Sequence, residues 1–286
     1  MQSKGATKFL NLVVLKYSSS EEEKMEVNIY LKEILESIVR NLRKYCVPTL
    51  LNEKYRDAVN TLAEDGIYCD GTYFSPEDCE NMRIKIDSHI ESGDVNIWRD
   101  PQGADERIYY AEKIDPIFKR FFENEKIRDV LFCHTGISDP VGFVMAARIT
   151  AKSYNLGSGG GWHRDSPVSH QFKAICYLSD VAAENGPFEY IKGSQRKLSI
   201  ITSYLRGILK KGAYRFENRE IDRYIDLTNL KAEALIAKEG SLIFADTKGI
   251  HRGRPIEKGT RYAVFCYFWD KKIPSHFAKY EQSDLK

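Results

Sequence analysis

At 286 residues the chain is long enough to bury a sizeable core, and its 43 basic and 41 acidic residues nearly cancel to a net charge of +2. That balance, without a basic tail, offers nucleic acid no electrostatic footprint. No run approaches the ~18 apolar residues of a membrane span, and Phe9 to Leu15 is too short and interrupted for a secretory signal. The six cysteines lack Cys-x-x-Cys spacing, which argues for free thiols in a reducing, cytoplasmic setting rather than a zinc knuckle or disulfide framework.

In chain order, residues 1–17 read as an apolar segment, a candidate strand, before Ser18-Ser19-Ser20. Ser20 and Glu23 form a capping-box pattern. Val27, Leu31, Ile34, Ile38, Leu42 and Tyr45 then make one helical stripe ending near Pro48. Such a stripe either packs on its own domain or serves as a face for homo-oligomer formation. A second helix is expected from Leu50 to Leu62, so that residues 1–61 form an N-terminal strand and helical extension to a main domain at 62–286. Ile67 to Cys69 reads as a strand, and Ser75-Pro76 opens a helix burying Cys79, Met82, Ile86 and Ile90. Residues 91–112 show little periodicity and are expected to be a long loop, either a lid over a site or an ordinary solvated loop. Pro116 to Cys133 reads as one helix.

After Gly142 the texture is mostly β. Phe143 to Tyr154 carries Arg148, Thr150 and Lys152 on one parity, which admits either a wet cavity or a half-exposed strand. Further strands are expected at Phe172 to Leu178, Phe188 to Ile191, Ala234 to Ala237, Ser241 to Phe244 and Tyr262 to Trp269. A basic, partly helical insertion at 197–234 interrupts them.

The chemistry concentrates at Gly157-Ser158-Gly159-Gly160-Gly161-Trp162-His163-Arg164-Asp165. In a strand, His163 and Asp165 point to one face and Trp162 to the other. With His251 downstream they compose two imidazoles and one carboxylate, a set that suits non-haem Fe(II) because it leaves one octahedral face open. No phosphate-loop pattern follows the glycines, so a flexible turn at a barrel mouth is their expected role.

Trp162-His163-Arg164-Asp165, Tyr177-Leu178-Ser179-Asp180 to Glu184-Asn185-Gly186-Pro187, Ile191-Lys192-Gly193-Ser194 and Gly240 to Phe244 leading to His251-Arg252-Gly253 together resemble the phytanoyl-CoA dioxygenase family of Fe(II)/2-oxoglutarate oxygenases. The resemblance spans roughly Leu62 to Trp269. It implies an α+β, mainly β fold: a double-stranded β-helix, or cupin-like jelly roll, with helices packed on one sheet. It also implies that His163, Asp165 and His251 bind Fe(II), that 2-oxoglutarate and O2 are consumed, and that succinate and CO2 leave as a substrate is hydroxylated. Related halogenases lack the carboxylate that Asp165 supplies.

A cosubstrate with a distal carboxylate needs a buried cation. Arg261 suits it by its planar, bidentate guanidinium and matches the family's arginine in motif position. Thr150 and Lys173 are further candidates for cosubstrate contact. Arg148, Arg107 and Tyr110 are candidates for a substrate expected to be a small, anionic metabolite. Two other readings use the same three ligands: a zinc hydrolase, and a non-catalytic sensor of metal and 2-oxoglutarate. His89, His134, His170 and His276 are read as structural or peripheral.

Overall fold

The computed structural model describes residues 21–165 and 171–282. The expected strand at 1–17, the Ser20 cap and His170 lie outside the described residues. The first described element, α1 (Glu21–Lys44), is followed by α2 (Thr49–Lys54) and α3 (Arg56–Glu64), so the single helix expected over 50–62 is broken at Tyr55. The α1 stripe does not pack inward: Ile34, Ile38, Leu42 and Tyr45 are exposed. Its opposite side reaches the domain through Arg40, whose Nη1 lies 2.8 Å from Asp246, and Arg43, 2.7 Å from Asp270.

Strand β1 (Ile67–Thr72) leads into α4 (Pro76–Ser92), capped by Ser75, whose hydroxyl accepts the amide of Asp78 at 3.1 Å. Its buried face is the expected one: Cys79, Met82, Ile86 and Ile90. Residues 91–112 are not the long loop expected. They form a hairpin, β2 (Ile97–Arg99) and β3 (Asp105–Tyr109), that pairs with the next strand and extends the main sheet. The helix expected over 116–133 is two, α5 (Pro116–Phe122) and α6 (Glu125–Thr135), because Asn124 caps a new start by accepting the amide of Ile127 at 3.2 Å.

The strands β4 (Val141–Thr150), β5 (Gln171–Tyr177), β6 (Phe188–Ile191), β7 (Ala232–Ala234), β8 (Ser241–Asp246), β9 (His251–Gly253) and β10 (Thr260–Trp269) complete two antiparallel sheets. The larger has the order β1-β8-β5-β10-β4-β3-β2 and the smaller β7-β6-β9. Facing each other, they form the double-stranded β-helix expected from the sequence. The insertion folds as α7 (Lys197–Leu205) and α8 (Asn218–Thr228), whose Ile200, Tyr204, Ile221 and Tyr224 join Trp162, Ile191 and Ile250 in a buried cluster behind the small sheet.

Strand alternation divides the large sheet into two buried faces. Val144, Ala146, Ala174, Cys176, Val264 and Cys266 meet the helices in one core. Met145, Ala147, Ile175, Tyr177, Phe265 and Tyr267 face the small sheet and line the barrel interior. Parity on β4 therefore puts Arg148 and Thr150 on the helix side, away from the barrel.

Candidate metal centre and cosubstrate cavity

His163 and His251 meet across an antiparallel bridge, each backbone amide donating to the other residue's carbonyl at 2.9 Å. Asp165 is set by its own amide, which donates to the carbonyl of Thr247 at 3.0 Å. Each imidazole donates from Nδ1 to the carbonyl two residues earlier: His163 to Gly161 at 2.8 Å and His251 to Gly249 at 2.9 Å. This fixes the tautomer and leaves both Nε2 atoms as lone-pair donors. They lie 3.7 Å from Oδ1 and 3.6 Å from Oδ2 of Asp165, respectively. Among the described residues these three make the one group of His, Cys, Asp or Glu whose donor atoms lie within 4.8 Å of one another.

Burial holds the His163 imidazole down to about 4 and, with the neighbouring His163, that of His251 down to about 3, so both are neutral near pH 7. Burial alone would raise the Asp165 carboxyl, but Lys173 and the two imidazoles outweigh it and hold it well below its usual range. The glycines fit this geometry closely. Gly159 has φ +87°, and a Cβ there would sit 2.3 Å from Cε1 of His163, so this turn has no room for a side chain. Trp162 faces the other way, as expected, with the Arg252 guanidinium 4.3 Å from its ring centroid.

The three side chains open onto a cavity of about 560 Å³ inside the barrel, which also takes in Arg261, Lys173, Arg107 and Tyr177. Arg261 is 3% exposed, and its Nε and Nη1 have no hydrogen-bond partner. Nε2 of His251 is likewise buried and unpartnered. Orphaned buried donors and acceptors are costly, and these point into one space. A divalent metal on the imidazole nitrogens and a carboxylate on the guanidinium are the groups that would satisfy them.

Other sequence candidates fall elsewhere. Arg148 is bound to Asp87 at 2.7 Å and Glu106 at 2.8 Å on the helix side, and Thr150 there meets Thr260 at 3.4 Å. Neither lines the cavity, which corrects the cavity-facing placement the sequence admitted. Tyr110 adopts φ +58°, packs on Phe143 and lines a separate surface cavity with Glu112 and Lys113. Its neighbour Tyr109 lines the barrel instead. Arg107 does line the cavity, but its guanidinium is bound by Asp105 and also donates to Ser158 at 3.1 Å. Lys173 faces inward and pairs with Asp165 at 2.6 Å.

An aromatic wall of Tyr109, Tyr267, Trp269 and Phe277 lines the same cavity, as do Arg215 and His276, the last expected to be peripheral. For Tyr267 and Trp269 the signal was available, since they share strand parity with Arg261. Phe277 comes from the 3-10 turn Ser275–Tyr280, read as a tail. Gln282 pins that segment to the hairpin, donating to the Tyr109 carbonyl at 2.8 Å and accepting the Asn96 amide at 2.8 Å.

The chain belongs to the phytanoyl-CoA dioxygenase (PhyH) family, which its sequence matches over residues 62–259. Members of this family use Fe(II), 2-oxoglutarate and O2. Similar folds include the epimerase SnoN in complex with Fe3+, alpha ketoglutarate and nogalamycin RO (14% identity, TM-score 0.59, covering 80% of this chain and 89% of that one). The carbocyclase SnoK from nogalamycin biosynthesis is similar at 16% identity and TM-score 0.58, covering 80% and 92%. HygX from Streptomyces hygroscopicus, with nickel and 2-oxoglutarate bound, is similar at 13% identity and TM-score 0.56, covering 76% and 87%. The sequence matches none of the curated proteins significantly. Among the described residues no helix is long and apolar enough to cross a membrane.

Proposed function

We propose that this protein is a 2-oxoglutarate-dependent hydroxylase of a small molecule, with iron held by His163, Asp165 and His251 and the distal carboxylate of the cosubstrate held by Arg261. The observation that carries the reading is the convergence of unsatisfied atoms on one cavity: Nε2 of His251 and Nε and Nη1 of Arg261 are buried without partners. When bound, the iron and cosubstrate supply oxygen activation coupled to release of succinate and CO2. The chain's own part is to fix both imidazole tautomers, orient the carboxylate, clamp the cosubstrate and exclude water behind aromatic side chains. A zinc hydrolase has no use for a buried, unpartnered arginine beside its metal, and this favours the oxygenase over that alternative.

Tyr267, Trp269 and Phe277 form stacked and tilted pairs 5.6–6.3 Å apart at the cavity wall. They favour a substrate with a flat, ring-shaped apolar face. The expectation of an anionic substrate loses support, because Arg148 and Arg107 are already paired with carboxylates. Fold relatives named as an epimerase and a carbocyclase indicate that hydroxylation is one of several outcomes to test.

Anaerobic addition of Fe(II) and then 2-oxoglutarate to the metal-free protein should produce a metal-to-ligand charge-transfer band, and its absence would sink the oxygenase reading. Arg261→Ala should weaken 2-oxoglutarate binding roughly 30-fold or more, as expected for loss of a buried charge partner, with metal affinity retained. A screen for substrates that stimulate succinate release, read by product mass, separates hydroxylation (one added oxygen) from ring closure or epimerisation (none). A charge-transfer band with no succinate released on exposure to oxygen, whatever substrate is offered, would favour a sensor.

A further inference from the structure

Lys173 sits on the inner row of β5, opposite Tyr267 of β10 and Ala245 of β8, and is 5% exposed. Its ammonium lies 2.6 Å from Oδ2 of Asp165 and 4.4 Å from the centroid of the Tyr267 ring. The aromatic face and neighbouring strands confine the side chain, and its one ion pair among the described residues is Asp165. This differs from the role in gripping the cosubstrate that its position on β5 suggests. A carboxylate ligand can offer a metal one oxygen or both, and outer hydrogen bonds decide which by occupying lone pairs. An ammonium at Oδ2 makes that oxygen a poor second donor, since a metal there would compete for the same electrons and meet a like charge.

We infer that Lys173 is a positioning residue for the Asp165 carboxylate: by engaging Oδ2 it confines metal ligation to Oδ1 and keeps open the adjacent position that a chelating cosubstrate needs. The inference rests on the metal reading of His163, Asp165 and His251. Removing the ammonium takes away this hold on Oδ2, so that a metal can draw on it as a second donor. It also removes a positive charge beside the metal, so the metal itself should bind as tightly or more tightly. What should weaken is the binding of any second chelating ligand.

The test uses the full chain and its Lys173→Met variant, loaded anaerobically with Co(II) and titrated calorimetrically with two probes. One is 2-oxoglutarate, and the other is oxalate, which chelates but has no distal carboxylate. Expected for Lys173→Met are undiminished Co(II) affinity and a fall of about tenfold or more for both probes, within the range of changes that follow loss of a ligand's hydrogen-bond partner. Lys173→Arg should stay near the wild-type values. A fall for 2-oxoglutarate alone would overturn the inference in favour of direct contact with the distal carboxylate, and no fall for either would overturn it outright. Failure of the unmodified chain to bind Co(II) would instead remove the metal reading beneath it. Should Lys173→Met not fold, as judged by circular dichroism, the infrared difference spectrum of metal binding to the unmodified chain decides. Its Asp165 bands, identified through Asp165→Asn, should show the wide splitting of a carboxylate bound through one oxygen. Narrow splitting, typical of chelation by both oxygens, would overturn the inference.

Discussion

Two buried clusters in this molecule are built from nearly the same parts. One joins His163 and His251 to Asp165 and Lys173. The other joins His134, in the last turn of α6, to Asp246 at 3.0 Å and to Arg40 of α1, which binds Asp246 at 2.8 Å. In both, burial holds a histidine far below its usual range, to about 3 for His134 and His251. They differ in closure. The His134 cluster directs its groups at one another and ties α1 to the end of β8, whereas the His163 cluster leaves Nε2 of His251 unsatisfied at a cavity. Residue types alone do not make a metal site: donor atoms must converge on space, with their second nitrogen already fixed.

Breaking each cluster should therefore give opposite signatures. His251→Ala should lower metal affinity at least about 100-fold, beyond the usual cost of losing only a ligand's outer hydrogen bond, and abolish turnover. Its effect on the melting temperature of the metal-free protein should be small by comparison. His134→Gln should cost about 1–3 kcal/mol of stability, the range for a buried polar partner left unsatisfied, and leave metal affinity unchanged. Calorimetric metal titration and thermal melts on both variants check the contrast. A metal-binding loss in His134→Gln would show that the two clusters are coupled through β8.

Acid sharpens the same comparison. The folded-state values of His134, His163 and His251 lie below the ~6.5 of an unfolded chain, so the unfolded state takes up the extra protons. Stability is then fully present above about pH 6.5 and lost as pH falls toward 4 and 3, by at most ~1.4 kcal/mol per pH unit for each histidine. In His134→Gln this acid limb should be shallower by one proton. Saturating metal should raise stability across this range without flattening the limb, since it binds imidazoles already neutral in the folded state and leaves the protons taken up by the unfolded state unchanged. Denaturant titrations between pH 4 and 7.5, with and without metal, measure each part. An unchanged slope in His134→Gln would show that its imidazole does not titrate on unfolding.

These differences explain what could be read from the chain. His163 and Asp165 were legible because a strand's period of two puts both on one face, and Arg261 because a buried carboxylate clamp must sit on an inner strand. Arg148 shared a parity with Thr150, but parity does not say whether a face looks at the barrel or at helices. That depends on Asp87, 61 positions away on α4. The β2–β3 hairpin was missed although Asp100-Pro101 and Gly103 mark its turn, because its strands are short and polar. Asn124 was a readable break in the long helix expected over 116–133. The outward stripe of α1 was not, since its inward side is fixed by the remote carboxylates Asp246 and Asp270.

The smallest effect is expected at the cavity wall, where Phe277 packs 5.6 Å from Trp269 and 5.8 Å from Tyr109 without touching the three candidate ligands. It is half-buried, and its segment is held by Gln282 rather than by the ring itself, so Phe277→Ala should cost little stability. If the aromatic wall receives a ring-shaped substrate, loss of one stacking partner should raise KM several-fold, in keeping with about 0.5–1.5 kcal/mol for an aromatic pair. The Fe(II)/2-oxoglutarate charge-transfer band and 2-oxoglutarate affinity should be unaltered. Steady-state kinetics on the substrate found by succinate release, with KM and kcat separated, give the answer. A fall in kcat at constant KM would mean that Phe277 acts on positioning for the reaction rather than on substrate capture.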